Sequence, residues 1–222
     1  IPTYTNVDTT KDEYRVRYNN GAWSPWSRVL SVPITLDQAF LSPLAVADYA
    51  NAKGPKSVGI AYEIRKNGDT FPGPTTPFRV DFSVTGPSNP GIPGSINTRL
   101  IPASFLGTDA AAPNIMEFAQ AGKPVTVTVE LWRTSDPAEL PAPGMFLILV
   151  NPDGTFIAPA KEISNEIPGD FVTWDIDWSV FQKLGNGKHN ISYVVSPTAT
   201  PTSATNLNRA LPREVEVRDA VT

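Results

Sequence analysis

The 222-residue chain contains no cysteine and a single histidine, His189. Without cysteine there is no disulfide scaffold, no thiolate zinc or iron–sulfur site and no thiol nucleophile. With one histidine, a His-rich metal site is excluded, and any Ser-His-Asp triad has to be built on His189. Positive charge is also in short supply: 18 Lys+Arg face 22 Asp+Glu, for a net charge of −4. A nucleic-acid partner or an anionic membrane needs a concentrated basic surface, so neither is expected. No apolar run approaches the roughly 20 residues that span a bilayer, which argues against membrane insertion.

Catalytic and cofactor motifs are missing as well. There is no Gly-x-Gly-x-x-Gly, no phosphate-binding loop and no Gly-x-Ser-x-Gly elbow in the sequence. The Gly/Pro run at 85–94 is no phosphate cradle, because its prolines lack the amide donors that a cradle requires. The expectation is a non-enzymatic protein without cofactor or metal. The chain opens Ile1-Pro2-Thr3, with no Met, basic n-region or apolar h-region. It therefore reads as a processed or excised piece of something longer.

What the sequence does hold is period-2 alternation, the mark of a strand with one buried face. Tyr14, Val16 and Tyr18 alternate with Arg15 and Arg17 before the turn residues Asn19-Asn20-Gly21. Val58, Ile60, Tyr62 and Ile64 form the next stripe and run into Lys66-Asn67-Gly68-Asp69. Phe78, Val80, Phe82 and Val84 follow, then Val125 to Leu131, Phe146 to Val150, Val172 to Trp178, Ile191 to Val195 and Val215 to Val217. Helix is expected only in three short stretches, 44–52, 113–121 and 177–184, all too short to be stable without packing.

The 23 prolines are kept to strand edges and connections, as strand geometry requires. Residues 85–94 hold three prolines and three glycines and form the best domain boundary. The sequence thus divides into a first module at 1–86, a semi-rigid Pro/Gly linker at 87–94 and a second module at 95–222. The halves share an order of events. Pro33 to Leu36, Ser57 to Ile64 and Pro77 to Phe82 match Phe171 to Trp174, His189 to Val195 and Pro212 to Val217. Tyr14 to Tyr18 then corresponds to Val125 to Leu131. The first module has less chain before its first matched strand, and its opening strand reads as truncated.

The endings Gly54 to Ile64 with Pro77 to Val84, and Gly187 to Val195 with Leu211 to Val217, resemble a family: the tandem immunoglobulin-like β-sandwich modules of large bacterial surface and secreted proteins. The resemblance covers most of the chain through degenerate motifs. It implies an all-β fold of two tandem immunoglobulin-like antiparallel β-sandwiches, an extracellular or cell-surface location and a spacer, stalk or adhesive role beside neighbouring modules of the same polypeptide. Tyr62 and Tyr193 then stand either as tyrosine corners or as ordinary strand aromatics.

Few residues suggest chemistry. Trp23-Ser24-Pro25-Trp26 sets two large aromatics three apart in a loop, and such a pair can stack on sugar rings. Trp23 and Trp26 are therefore the candidate ligand-binding residues, for a glycan or protein partner; buried core tryptophans are the competing reading. Trp174 and Trp178 share a strand face and belong with the core. Asp175 and Asp177 project oppositely and read as a solvated face, since no Asp-x-Asp-x-Asp-Gly loop surrounds them. Asn190-Ile191-Ser192 matches a glycosylation sequon by chance within a strand. Three functions remain: a structural or adhesive segment, a carbohydrate- or protein-binding module, and an accessory domain of a secreted hydrolase or toxin.

Overall fold

The computed structural model describes residues 1–36, 54–89, 91 and 94–218, and its elements are nearly all β. It divides into two compact units, Ile1–Ser83 and Val84–Thr222. The predicted helix at 44–52 falls outside the described residues.

The first unit is built on β3 (Lys56–Lys66), an 11-residue strand. Strand β1 (Glu13–Tyr18) pairs antiparallel with it over six residues, Glu13 opposite Arg65 through Tyr18 opposite Ile60. The short β2 (Ser27–Arg28) lies on the far side of β1. On the other side of β3, β4 (Asp69–Pro72) and β5 (Thr76–Val80) pair with its two ends in turn. Asn67 and Gly68 both have positive φ, at 51° and 90°, the conformation a two-residue type I′ hairpin needs between β3 and β4. Among the described residues this unit is one five-stranded sheet, not the two facing sheets expected of a sandwich at 1–86. Its apolar contacts are correspondingly split. Tyr18, Val58 and Val80 pack with Phe78 and Phe82, while Val29, Ile34 and Ile64 gather Ile1, Tyr4, Val7 and Tyr62.

The second unit has two sheets. Strands β7 (Ser104–Gly107), β9 (Val125–Glu130) and β12 (Phe171–Ile176) form one, in the order β12-β9-β7. The other runs β11 (Lys161–Glu162), β10 (Phe146–Val150), β13 (Gly187–Ser196), β14 (Asn208–Ala210), β6 (Ile96–Asn97), with β15 (Arg213–Arg218) on β13 and β8 (Ile115–Glu117) parallel to β15. Between them lies one continuous core: Val125, Val127 and Val129 from β9, Val172 and Ile176 from β12, Leu147 and Leu149 from β10, Ile191, Tyr193 and Val195 from β13. Phe105 meets Phe181 edge-on, with centroids 5.8 Å apart. Phe181 belongs to α1 (Ser179–Leu184), the predicted helix at 177–184, which Gly185 ends at φ 77°. The predicted helix at 113–121 is instead β8 followed by a single 3-10 turn, Phe118–Gln120. Met116 there is fully buried as part of the core, and strand pairing with β15 overrides the local helix preference.

Two sequence expectations change here. The matched order of strands does not give matched partners: β1 and β3 are neighbours in one sheet, whereas their counterparts β9 and β13 lie in opposite sheets. Alternation reports that a strand has a buried face and is silent about its neighbour. Among the described residues, the pairing that recurs is that of β3 with β5 and of β13 with β15.

The second change concerns the Pro/Gly run. Over its described residues it is bonded to the second unit. The Asn97 amide donates to the carbonyls of Pro87 and Ser88 at 3.0 and 3.1 Å, and the Asn208 amide donates to those of Thr85 and Pro87 at 3.0 and 2.7 Å. Both asparagines are fully buried and joined to each other at 3.0 Å. Gly86, at φ 84°, lies against the Trp132 ring, where a Cβ has no room, and Gly94 N–H donates to Leu207 O. Nearby, burial opposes ionisation of Glu139, but hydrogen bonds from Ser88 and Arg99 outweigh it and hold the carboxyl below its ordinary value.

Candidate functional site

The polar face of β1 and β3 carries the array that contains both candidate tryptophans. Residues directly opposite in an antiparallel pair project to the same side, so Glu13, Arg15 and Arg17 share a face with Arg65, Glu63 and Ala61. Arg15 Nε donates to Glu63 at 2.6 Å, and Arg65 pairs with Glu13, crossing the same seam in the opposite sense.

The loop after Asn19-Asn20-Gly21 brings the indoles onto this face. Arg17 and Trp23 form an isolated antiparallel bridge, and β2 resumes pairing at Ser27. Between them Ser24 keeps the ladder closed: its N–H donates to Val16 O at 2.8 Å and its hydroxyl accepts from Val16 N–H at 3.0 Å. Trp23 then takes the Arg15 and Arg17 guanidiniums over its ring, at 4.9 and 4.8 Å from the centroid. Trp26 takes Arg15 and Arg65, at 4.6 and 4.5 Å. Arg15 is shared, so the order is Arg17, Trp23, Arg15, Trp26, Arg65. Both indoles are half-buried.

This arrangement answers what the tryptophans touch. A sugar ring stacks on an aromatic face, and each indole here already has two guanidiniums over its ring. Cation–π contacts at such partly exposed positions contribute about 0.5–1 kcal/mol each. Five residues completing the array, Glu13, Arg15, Arg17, Glu63 and Arg65, were not singled out by the sequence. The available signal was the alternation of Arg15 and Arg17 with three apolar residues, which puts both arginines on one face beside the Trp-rich loop.

The other candidates are accounted for locally. Trp174 is half-buried against the core of the second unit and Trp178 is buried in it. Asp175 is exposed and accepts from Thr126 Oγ1 at 2.7 Å across the β9–β12 pair, and Asp177 is exposed. His189 Nε2 donates to Gly185 O at 2.9 Å, tying the start of β13 to the end of α1. Ser192, of the sequon, is buried with its hydroxyl on Ala210 O. Among the described residues no group of three or more His, Cys, Asp or Glu side chains could hold a metal ion. A groove of about 540 Å³ beside α1 is lined by Lys123, Asp177, Ser179 and Gln182, but Lys123 is engaged with Asp109 at 2.7 Å.

Tyr193 does not make the bond of a tyrosine corner. Its ring is fully buried and its hydroxyl has no hydrogen-bond partner among the described residues; burial raises its pKa. Tyr193→Phe removes a buried polar group that is unpaired, so stability is expected to be unchanged or to rise by up to about 1 kcal/mol in a denaturant titration. A corner tyrosine would lose stability instead. Tyr62 covers Gly73 with its ring, and Gly73 N–H donates to Tyr62 O at 2.8 Å, which ties β3 to the β4–β5 connection.

One ionisable pair lies next to the array. Asp12, fully buried, accepts from Tyr4 Oη at 3.1 Å and Asp8 N at 3.0 Å. Burial, then the hydrogen bond and charge of Asp12, push the Tyr4 phenol up to about 12. A raised folded value means the neutral phenol is favoured, so this stabilisation is complete below pH 10 and is lost as pH rises toward 12. Difference absorbance between wild type and Tyr4→Phe is expected to show a phenolate appearing near pH 12, and Asp12→Asn to move it back toward 10.

No family model matches the chain, and no curated protein is significantly similar to it.

Proposed function

We propose that the chain is a non-enzymatic structural or adhesive segment of immunoglobulin-like modules from a larger bacterial extracellular or surface protein. The observation that carries this reading is the investment of the most distinctive side chains in internal bracing: Trp23 and Trp26 are engaged by arginines of their own sheet. Support for an immunoglobulin-like assignment comes from the strand order of the second unit. There β7, β9 and β12 stand where strands A, B and E stand, and β10, β13 and β15 where C, F and G stand. Without cysteine no disulfide joins the facing sheets, and the core packed between them carries that role. No helix among the described residues is long and apolar enough to cross a membrane.

The test is the coding sequence on either side of this segment. Further modules with the same alternating, Pro-punctuated pattern are expected. A flanking catalytic domain would favour the accessory-domain reading.

A second reading keeps a glycan or protein partner at Trp23 and Trp26. It is favoured by their partial exposure and by Leu30, 82% exposed shortly after β2.

A further inference from the structure

We propose that the β1–β3–β5 ladder of the first unit is a tension-bearing clamp, cross-braced by the tryptophan–arginine array; its biological use, though not the property itself, rests on the spacer reading above.

Strand β3 is antiparallel to both β1 and β5, so those two run in the same direction on either side of it. The leading end of β1, Glu13, sits opposite Arg65, near the end of β3. The trailing end of β5, Val80, sits opposite Lys56, at its beginning. Tension applied ahead of β1 and beyond β5 therefore pulls toward opposite ends of the sheet, along the strands. Six residue pairs between β1 and β3 and five between β3 and β5 are then loaded together. Load applied at one end of a pair would instead break its hydrogen bonds one after another. Bonds that share a load must fail almost at once, which raises the barrier to forced unfolding, and that barrier governs survival under force.

The side chains reinforce the same seam. Arg15–Glu63 and Glu13–Arg65 join β1 to β3 in alternating sense. Trp26, arriving from β2, lies against Arg15 of β1 and Arg65 of β3 at once. Sliding β1 along β3 by one residue would put the charged face of β1 on the other side and break every one of these contacts.

The absence of cysteine allows the loading direction to be chosen with paired thiol handles on the full chain. Lys11→Cys with Asp81→Cys loads the ladder along the strands; Lys11→Cys with Thr70→Cys peels it from one end. All three positions are exposed. In single-molecule pulling, the first pair is expected to need at least about twice the force of the second at equal loading rate. Equal forces in the two geometries would overturn the clamp, while leaving the spacer reading to its own test in the flanking sequence. Adding Trp26→Leu to the first pair is expected to raise the unfolding rate at fixed load about tenfold. An unchanged rate would overturn the role given to the array.

Discussion

Asn208→Ala is expected to destabilise the second unit by about 3 kcal/mol and to open residues 85–89 to the solvent. The side chain is fully buried and makes three hydrogen bonds, donating to Thr85 O and Pro87 O and accepting from Asn97 Nδ2. Truncation leaves the half-buried Thr85 carbonyl without that donor and the fully buried Asn97 without one acceptor. Each orphaned buried group costs about 1–3 kcal/mol, and the vacated volume adds to this. Asn208→Asp separates the two contributions. It has the same shape but no donor, so at neutral pH it is expected to be at least as damaging as the alanine. Amide-exchange mass spectrometry is the appropriate readout, because it reports segments separately in a chain whose two units need not unfold together. Faster exchange over 84–98 with little change over 56–80 is the expected pattern. Unchanged exchange at 84–98 would show that the Pro/Gly run is not held by these asparagines.

Trp23→Ala/Trp26→Ala is expected to cost the first unit about 3 kcal/mol. Four cation–π contacts are lost at about 0.5–1 kcal/mol each, along with the apolar contact between indole and the arginine stems. The two cross-strand ion pairs remain but are partly exposed, and such pairs contribute little by themselves. Among the described residues the first unit shows two small apolar clusters rather than one large core to absorb the loss. Faster exchange at β1 and β3 is therefore expected, with the second unit unaffected. Trp26→Phe, which keeps a ring of weaker cation affinity, should fall between wild type and the double variant.

Local features of the sequence translated directly into structure. The alternation at Tyr14 to Tyr18, at Val125 to Leu131 and at Phe146 to Val150 became β1, β9 and β10, and the Asn67-Gly68 pair became a tight hairpin. The near absence of helix and the antiparallel pairing of most strands were legible in the same way. Pairing partners were not, because alternation carries no information on which strand lies alongside. Alternation therefore does not distinguish β9 and β13, which sit in opposite sheets, from β1 and β3, which sit side by side. The composition of residues 85–94 suggested a spacer, yet what fastens its first part is Asn97 and Asn208, one of them more than a hundred residues away in sequence. Trp23 and Trp26 were found from their spacing, but their partners come from two strands, one of which, β3, lies far along the chain. No local motif could name Arg65.

Trp23 and Trp26 either brace the sheet or serve a ligand, and a glycan array probed in parallel with wild type and Trp23→Ala/Trp26→Ala decides between the two. Bracing tryptophans leave no glycan bound by either protein; a glycan held by the wild type and lost in the double variant, with the second unit still folded, would show that they serve a ligand instead.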